Sequence, residues 1–395
     1  MQFLHTIEEP PARSQRFALW ELGFRPFYLA GSTFAALSIA LWMLQVSGVL
    51  PAAYLAGPLW HAHEMLFGFA LAVIVGFLFT AGRNWTNEPT PTGRTLAALV
   101  LLWLAARVLV LTPWGWPAAV ANVAFPIAAA SCLAGPFIKA RNRRNYFFVG
   151  LLVALGIAAG VIHLAQLGVI AVPAWAGLQV ALDAVMFIVA VMGGRVIPMF
   201  TNGGIPGAGA VRNITVERVA LGSVLVLIAA DLVGTHGGWL VACAVVGCIA
   251  HAVRWALWRP WRTASTPIVW VLHLAYAWLP IHLGLRALAE LGRVPASTAT
   301  HALTVGAIGG LIIGMMTRTA RGHTARPLRA DRFDVACYGL VLLAGAIRVG
   351  APLLWPALSL VAWQLSAVSW SAGFGLYAIR YWPVLTRARL DGKPG

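Results

Sequence analysis

Two sets of histidines in this 395-residue chain are of a type and placement that could do chemistry. His61, His63, His163, His282 and His301 form one set, and His251 and His273 the other. Each lies in or beside a long apolar run, as do Glu64, Asp183, Arg107 and Arg195. Ionisable groups in such settings are costly and mark candidate functional positions. Neutral imidazole suits copper, zinc and iron, and three or more imidazoles converging from different segments would make a copper site closed to hard ions. His61, His63, His163 and His301 are the metal candidates on this reading, and His273 of the other set is a fifth. Two imidazoles at equal depth on adjacent segments, His251 and His273, could instead be axial ligands of a haem, with Arg195, Arg254 and Arg318 near its propionates. The alternative for this pair is ordinary hydrogen bonding between helices.

Spacing limits how the first set can work. His61-Ala62-His63-Glu64-Met65 begins just after Pro58, a residue suited to the first turn of a helix. On a regular helix, residues two apart point about 200° apart, so His61 and His63 share one metal only if that turn is unwound. Helical spacing groups His61 with Glu64 and Met65 and leaves His63 with Phe67. Glu64 is the candidate catalytic group, orienting an imidazole or passing protons inward. A carboxylate in a first helical turn is also favourable by about 0.3–1 kcal/mol with no such role. His163 alone reads as a core histidine bonded to a carbonyl, and His282 falls on the helix face opposite His273. Asp183 and Arg107 suit a proton path or a structural pair. His5, His236 and His323 read as tail and loop residues.

The elements that must position these groups follow from composition. The chain is 60% hydrophobic and 10% charged, with a mean hydropathy of +0.80, against roughly 45–50% apolar and 25% charged for a soluble domain. A water-soluble globule is excluded. The 28 Lys and Arg against 12 Asp and Glu give a net charge of +16. A nucleic-acid surface would need those cations clustered on a polar face, whereas here they punctuate apolar runs, so no nucleic-acid partner is expected.

At about 20 apolar residues per span, cutting at Pro, Gly and Arg clusters gives about twelve spans. They cover 24–46, 59–81, 95–112, 115–138, 146–170, 173–199, 214–234, 237–257, 267–290, 297–317, 333–350 and 355–380. The expectation is an all-α polytopic membrane bundle at 24–380 between tails at 1–23 and 381–395. Basic residues then alternate between successive loops. Nearly all fall on one side, and Arg286, Arg293 and Arg348 fall on the other, which puts both termini in the cytoplasm. The first 21 residues lack the apolar core and cleavage site of a signal peptide, so none is expected there. Cys132, Cys243, Cys248 and Cys337 lie in apolar segments and read as buried small hydrophobes. Gly306, Gly310 and Gly314 form a small-residue stripe for a close helix neighbour. The Gly193–Gly204 stretch lacks the order of a phosphate loop and reads as a helix end.

Depth sorts the histidines. At 1.5 Å per residue, His61, His63, His163, His282 and His301 lie about 3 to 12 Å from the outer surface. His251 and His273 lie roughly 9 Å from the cytoplasmic boundary, so the two sets are roughly 15 Å apart in depth.

Several stretches together resemble the NnrS family of bacterial membrane proteins. They are Gly23-Phe24-Arg25-Pro26-Phe27, Trp60-His61-Ala62-His63-Glu64-Met65-Leu66-Phe67-Gly68-Phe69, the Asn84-Trp85-Thr86 turn, and Gly194-Arg195-Val196-Ile197-Pro198-Met199-Phe200-Thr201. Leu272-His273-Leu274-Ala275-Tyr276-Ala277-Trp278, His301-Ala302-Leu303-Thr304-Val305-Gly306 and Met315-Met316-Thr317-Arg318 leading to Gly322-His323-Thr324 complete the set. Their order across most of the chain is what makes the resemblance specific. Ala325 stands where the pattern expects glycine, and Tyr28 follows the first motif.

The resemblance implies a twelve-span protein of the bacterial inner membrane that carries a b-type haem and copper and acts in resistance to nitric oxide and nitrosative stress. Nitric oxide, small and apolar, would enter from the lipid and be bound, oxidised or reduced at a buried metal, with an electron donor such as a quinol. Whether this makes the chain an oxidoreductase of the nitric oxide reductase kind is left open. The alternatives are a secondary transporter of a metal ion or small solute and a protector that binds nitric oxide without turnover.

Overall fold

The apolar runs close on themselves as helices because lipid offers no partner for a backbone N–H or C=O. A computed structural model describes residues 16–50 and 54–393; His5 and Arg13 lie outside the described residues. The chain is 80% helical, and the described residues contain no strand beyond one isolated bridge between Phe17 and Arg387. Twelve helices follow in order: α1 Phe24–Val46, α2 Gly57–Thr86, α3 Gly93–Leu109, α4 Gly115–Lys139, α5 Tyr146–Gln166, α6 Ala174–Gly204, α7 Ile214–Val233, α8 Gly238–Leu257, α9 Pro267–Glu290, α10 Ala296–His323, α11 Arg332–Leu354 and α12 Ser359–Thr386. Among the described residues, nine are long and apolar enough to cross a membrane. Of the others, α3 has only 17 residues, and α7 carries Glu217, Arg218 and Asp231. The expected spans one and nine coincide with α1 and α9. Spans two and ten run several residues further than hydropathy suggests, because α2 and α10 continue as polar turns to Thr86 and His323.

Each helix packs on the next in sequence, and α12 returns to α1. The Ala18 N–H bonds the Thr386 carbonyl at 2.7 Å and the Ala388 N–H bonds that of Arg16 at 3.1 Å. Both ends of the described chain therefore lie at one face, here called the termini-bearing face, and the opposite end is the far end. With these helix ends, Arg286, Arg293 and Arg348 sit toward the far end, as the alternation of basic loops requires. Inside the ring α2 is the most enclosed helix.

The glycine stripe does what spacing suggests. A Cβ on Gly306, Gly310 or Gly314 would strike Trp278, Ala275 or Leu272 of α9, the last two at 2.7 and 2.8 Å. The α9 and α10 backbones approach closely only because those side chains are absent.

Both α2 and α10 are interrupted by wide π turns, at Glu64–Ala70 and Ala302–Gly309. Such turns are rare and cluster at functional positions. In α2 the Trp103 indole N–H donates to the Gly68 carbonyl at 2.9 Å, so an indole answers backbone polarity within the wide turn. A Cβ on Gly68 would collide with the ring of Phe34. Both π segments begin within three residues of a histidine, at His61 and His63 in α2 and His301 in α10.

Ala325 adopts φ +59°, a left-handed conformation that suits glycine. Ala325→Gly should therefore raise stability, by about 1 kcal/mol, and Gly310→Val should lower it by about 1–3 kcal/mol through overpacking. Thermal unfolding in detergent checks both, and Ala325→Gly lowering the midpoint would contradict the assignment of strain.

Candidate functional site

The far-end histidines gather at the tops of α2, α5 and α10, but as two pairs. In the first, the His63 and His163 rings meet edge-on, with centroids 5.1 Å apart and planes at 84°. Both residues are fully buried. His63 Nδ1 lies 2.8 Å from Glu64 Oε1, and His163 Nδ1 lies 3.0 Å from the Tyr54 hydroxyl, whose ring stacks on it. That leaves Nε2 of each ring buried with no hydrogen-bond partner. An imidazole held at Nδ1 by a carboxylate or hydroxyl, with Nε2 left over, is the arrangement of a metal-ligating histidine.

Glu64 is the junction of this group. The same Oε1 that meets His63 also accepts from Arg107 Nη1, and Arg107 Nη2 donates to Asn122 Oδ1. Asn122 donates in turn to the Ala118 carbonyl at 2.8 Å. Glu64, Arg107 and Asn122 are all buried. Glu64 Oε2 keeps no partner. Helical spacing predicts Glu64 beside His61; it pairs with His63, because at Glu64 the helix widens into the π turn. The other half of that expectation holds, with the His63 ring 4.9 Å from Phe67. Arg107 and Asp183 are not partners, since Asp183 accepts from Gln179 at 3.0 Å on another side of the bundle, where Gln179 also reaches Asp231. His163 is bonded to Tyr54 and not to a carbonyl through its ring; the hydroxyl comes from the loop before α2, where no apolar pattern marks it.

The second pair is His61 and His301, with near-parallel rings, 11° apart, and centroids 6.5 Å apart. Trp42 stacks on His61 at 5.1 Å. His61 Nδ1 is buried without a partner. His301 Nδ1 donates to the Ser297 carbonyl at 2.6 Å, and Arg348 Nη2 lies 3.3 Å from its Nε2. His282 joins neither pair: its Nδ1 donates to the Ala299 carbonyl at 2.8 Å. Among the described residues no three His, Cys, Asp or Glu side chains converge on one point that could hold a metal, so the three-histidine centre expected from the sequence resolves into two imidazole pairs.

At the other level, His251 and His273 differ. His251 has both ring nitrogens engaged, Nδ1 with the Tyr276 hydroxyl at 2.7 Å and Nε2 with the Ala220 carbonyl at 3.0 Å. His273 Nε2 lies 2.8 Å from the Thr201 hydroxyl, and its Nδ1 is unpartnered. A haem held axially by both does not fit this donor set, because His251 has no nitrogen to spare. The arginines do not face a common ligand either. Arg195 bonds Asn145 and lies over Phe147 and Phe148, and Arg318 stacks 3.7 Å over Phe200. Arg254 instead grips Glu217 through two bonds at 2.9 and 2.6 Å and donates to the Ala190 carbonyl and Tyr276. A Cβ on Gly194 would strike this guanidinium, which accounts for glycine there. Glu217 escapes sequence reasoning; its signal is that so acid-poor a chain places a carboxylate in an apolar helix, where it needs a cation.

Between α1, α2, α6 and α10 lies an apolar cavity of about 90 Å³, lined by Tyr28, Phe77, Val185, Met192, Ile308 and Met315 among others and by no histidine. Ile308 comes seven residues after His301, roughly 10 Å along the helix.

A family model described as NnrS protein matches residues 18–389, nearly the whole chain. No curated protein matches it.

Removing Arg107 would leave Glu64 as a buried charge without its cation. Arg107→Met should cost about 3–5 kcal/mol, and adding Glu64→Gln should recover much of that. A double-mutant cycle by thermal unfolding reads the coupling, and additive losses would contradict the pairing.

Proposed function

We propose, for a chain that belongs to the NnrS family and is a nitric-oxide-related membrane protein, that its far-end imidazoles hold copper and haem and present them to nitric oxide. The observation that carries this reading is the pair of unpartnered Nε2 atoms on His63 and His163, each ring fixed at Nδ1. These two residues are the copper candidates, since imidazole donors suit that metal. The haem assignment moves from His251 and His273 to His61 and His301. Their near-parallel rings and the free Nδ1 of His61 support it; His301 Nε2, 3.3 Å from Arg348 Nη2, would ligate once that guanidinium turns from it to a carboxylate, a release that the Ala220 carbonyl on His251 Nε2 does not offer. Bound there, the metals would supply the redox chemistry of nitric oxide.

The chain's own residues have narrower tasks. Glu64 holds the proton of His63 on Nδ1, so that the Nε2 lone pair is free to ligate, and its open Oε2 is a stopping place for a proton arriving at the buried site. Arg107 balances the Glu64 charge. The apolar cavity beneath the π turns admits a small uncharged molecule from the lipid and keeps water out. Electrons would come from a membrane donor such as a quinol. The charge asymmetry of the loops supports an inner-membrane protein with both termini in the cytoplasm.

Optical spectra and metal analysis of the purified protein test the reading. His63→Ala and His163→Ala should lose copper, His61→Ala and His301→Ala should lose the Soret band, and His251→Ala should keep both. A wild-type preparation with neither haem nor stoichiometric copper, or all four far-end variants with full metal content, would overturn it.

A further inference from the structure

The termini-bearing face holds a guanidinium that nothing among the described residues answers. Arg326 lies in the turn between α10 and α11, directly after the left-handed Ala325, and its backbone N–H bonds the Arg321 carbonyl at 2.9 Å. Its Nε and Nη1 are shut off from the surface without a hydrogen-bond acceptor, so Nη2 is the nitrogen that faces outward. A half-buried guanidinium with two nitrogens lacking an acceptor is costly, and an anion at its open edge offsets part of that cost.

Its surroundings deepen the need. Arg25, Arg321, Arg380 and Arg387 lie within electrostatic reach of it. The carboxylates at hand are already engaged: Asp334 takes Arg321 at 2.6 Å, and Asp331 takes Arg321 at 3.0 Å and Arg380 at 3.2 Å. The pocket is net positive.

The turn after Arg326 and the adjoining ends of α11 and α12 carry exposed apolar side chains. Leu328, Phe333, Ile379 and Trp382 are exposed, and the Phe333 ring lies 5.1 and 5.3 Å from the guanidinium carbons of Arg332 and Arg380. Cations at the helix ends above an apolar, lipid-facing wall match a molecule with an anionic head and hydrocarbon tails. A soluble anion has no use for that wall.

We propose that Arg326, with Arg380 and Arg387 beside it, binds the phosphate of an anionic phospholipid at the termini-bearing face, the acyl chains lying along α11 and α12. The recognition chemistry is phosphate oxygen on guanidinium, which inorganic phosphate also offers, so the test separates the two sources. This site does not depend on the metal chemistry at the far end.

Native mass spectrometry of the full-length protein in detergent, with phosphatidylglycerol, phosphatidylcholine or inorganic phosphate added, reads it. Phosphatidylglycerol should be retained over phosphatidylcholine, and inorganic phosphate should not displace it. Arg326→Gln should weaken retention about five-fold, with Arg326→Lys recovering most of it. Leu328→Gln, which leaves the guanidinium intact, should also weaken lipid retention and so serves if Arg326→Gln fails to fold. Equal retention by wild type and Arg326→Gln, or unchanged retention by Leu328→Gln, would overturn the site. Displacement of the lipid by inorganic phosphate would overturn the lipid assignment in favour of a free anion.

Discussion

One carboxylate oxygen organises the far end of the bundle. Glu64 Oε1 meets His63 and Arg107 together, and through Arg107 it reaches Asn122, so side chains from α2, α3 and α4 are locked to one acceptor. In a low-dielectric interior such a junction is costly to leave incomplete and rigid once complete. That rigidity fixes the His63 ring and, across the edge-on contact, limits where His163 can turn. Asp183, by contrast, has no direct ion pair among the described residues; its carboxylate meets the Gln179 amide and Asp231, and Asp231 takes Arg286. Glu64 and Asp183, both buried, thus sit in different regimes, one bonded directly to a cation and one reaching it only through a second carboxylate.

The helical order of the chain was legible because a bilayer leaves few options. Twelve apolar runs had to become helices, and α1 and α9 end where hydropathy and proline place them. The side-chain partners were less legible, for a definite reason. Periodicity assumes a constant turn, and both helices bearing far-end histidines depart from it at the place that matters. The π turn after His63 moves Glu64 off the face it would share with His61. Tyr54 and Trp42, which hold His163 and His61, come from a loop and from the end of α1 with no pattern to announce them. Equal depth was likewise a weak guide: His251 and His273 lie on adjacent helices, yet Tyr276 and Ala220 consume both nitrogens of the former.

Sequence signals tied to backbone geometry carried further than those tied to charge. Ala325, unexpected at its position in the motif, does adopt the glycine-like conformation, and the Gly306, Gly310 and Gly314 stripe does face a neighbouring helix. Arg195 and Arg318, selected for their charge, turn instead to aromatic faces, where a guanidinium can be buried without an anion.

The closure of α12 onto α1 bears on how the molecule is made. Arg25, at the start of α1, is fully buried and donates to the carbonyls of Leu385 and Arg387 at 3.1 and 2.7 Å. During synthesis those acceptors appear some 360 residues after the arginine does. Until then one flank of α1 stays uncovered, while α2 to α5 already close around Glu64. The Glu64 junction and the His63–His163 pair can therefore assemble early, His61 gains His301 only with α10, and the ring is sealed last, from the other face.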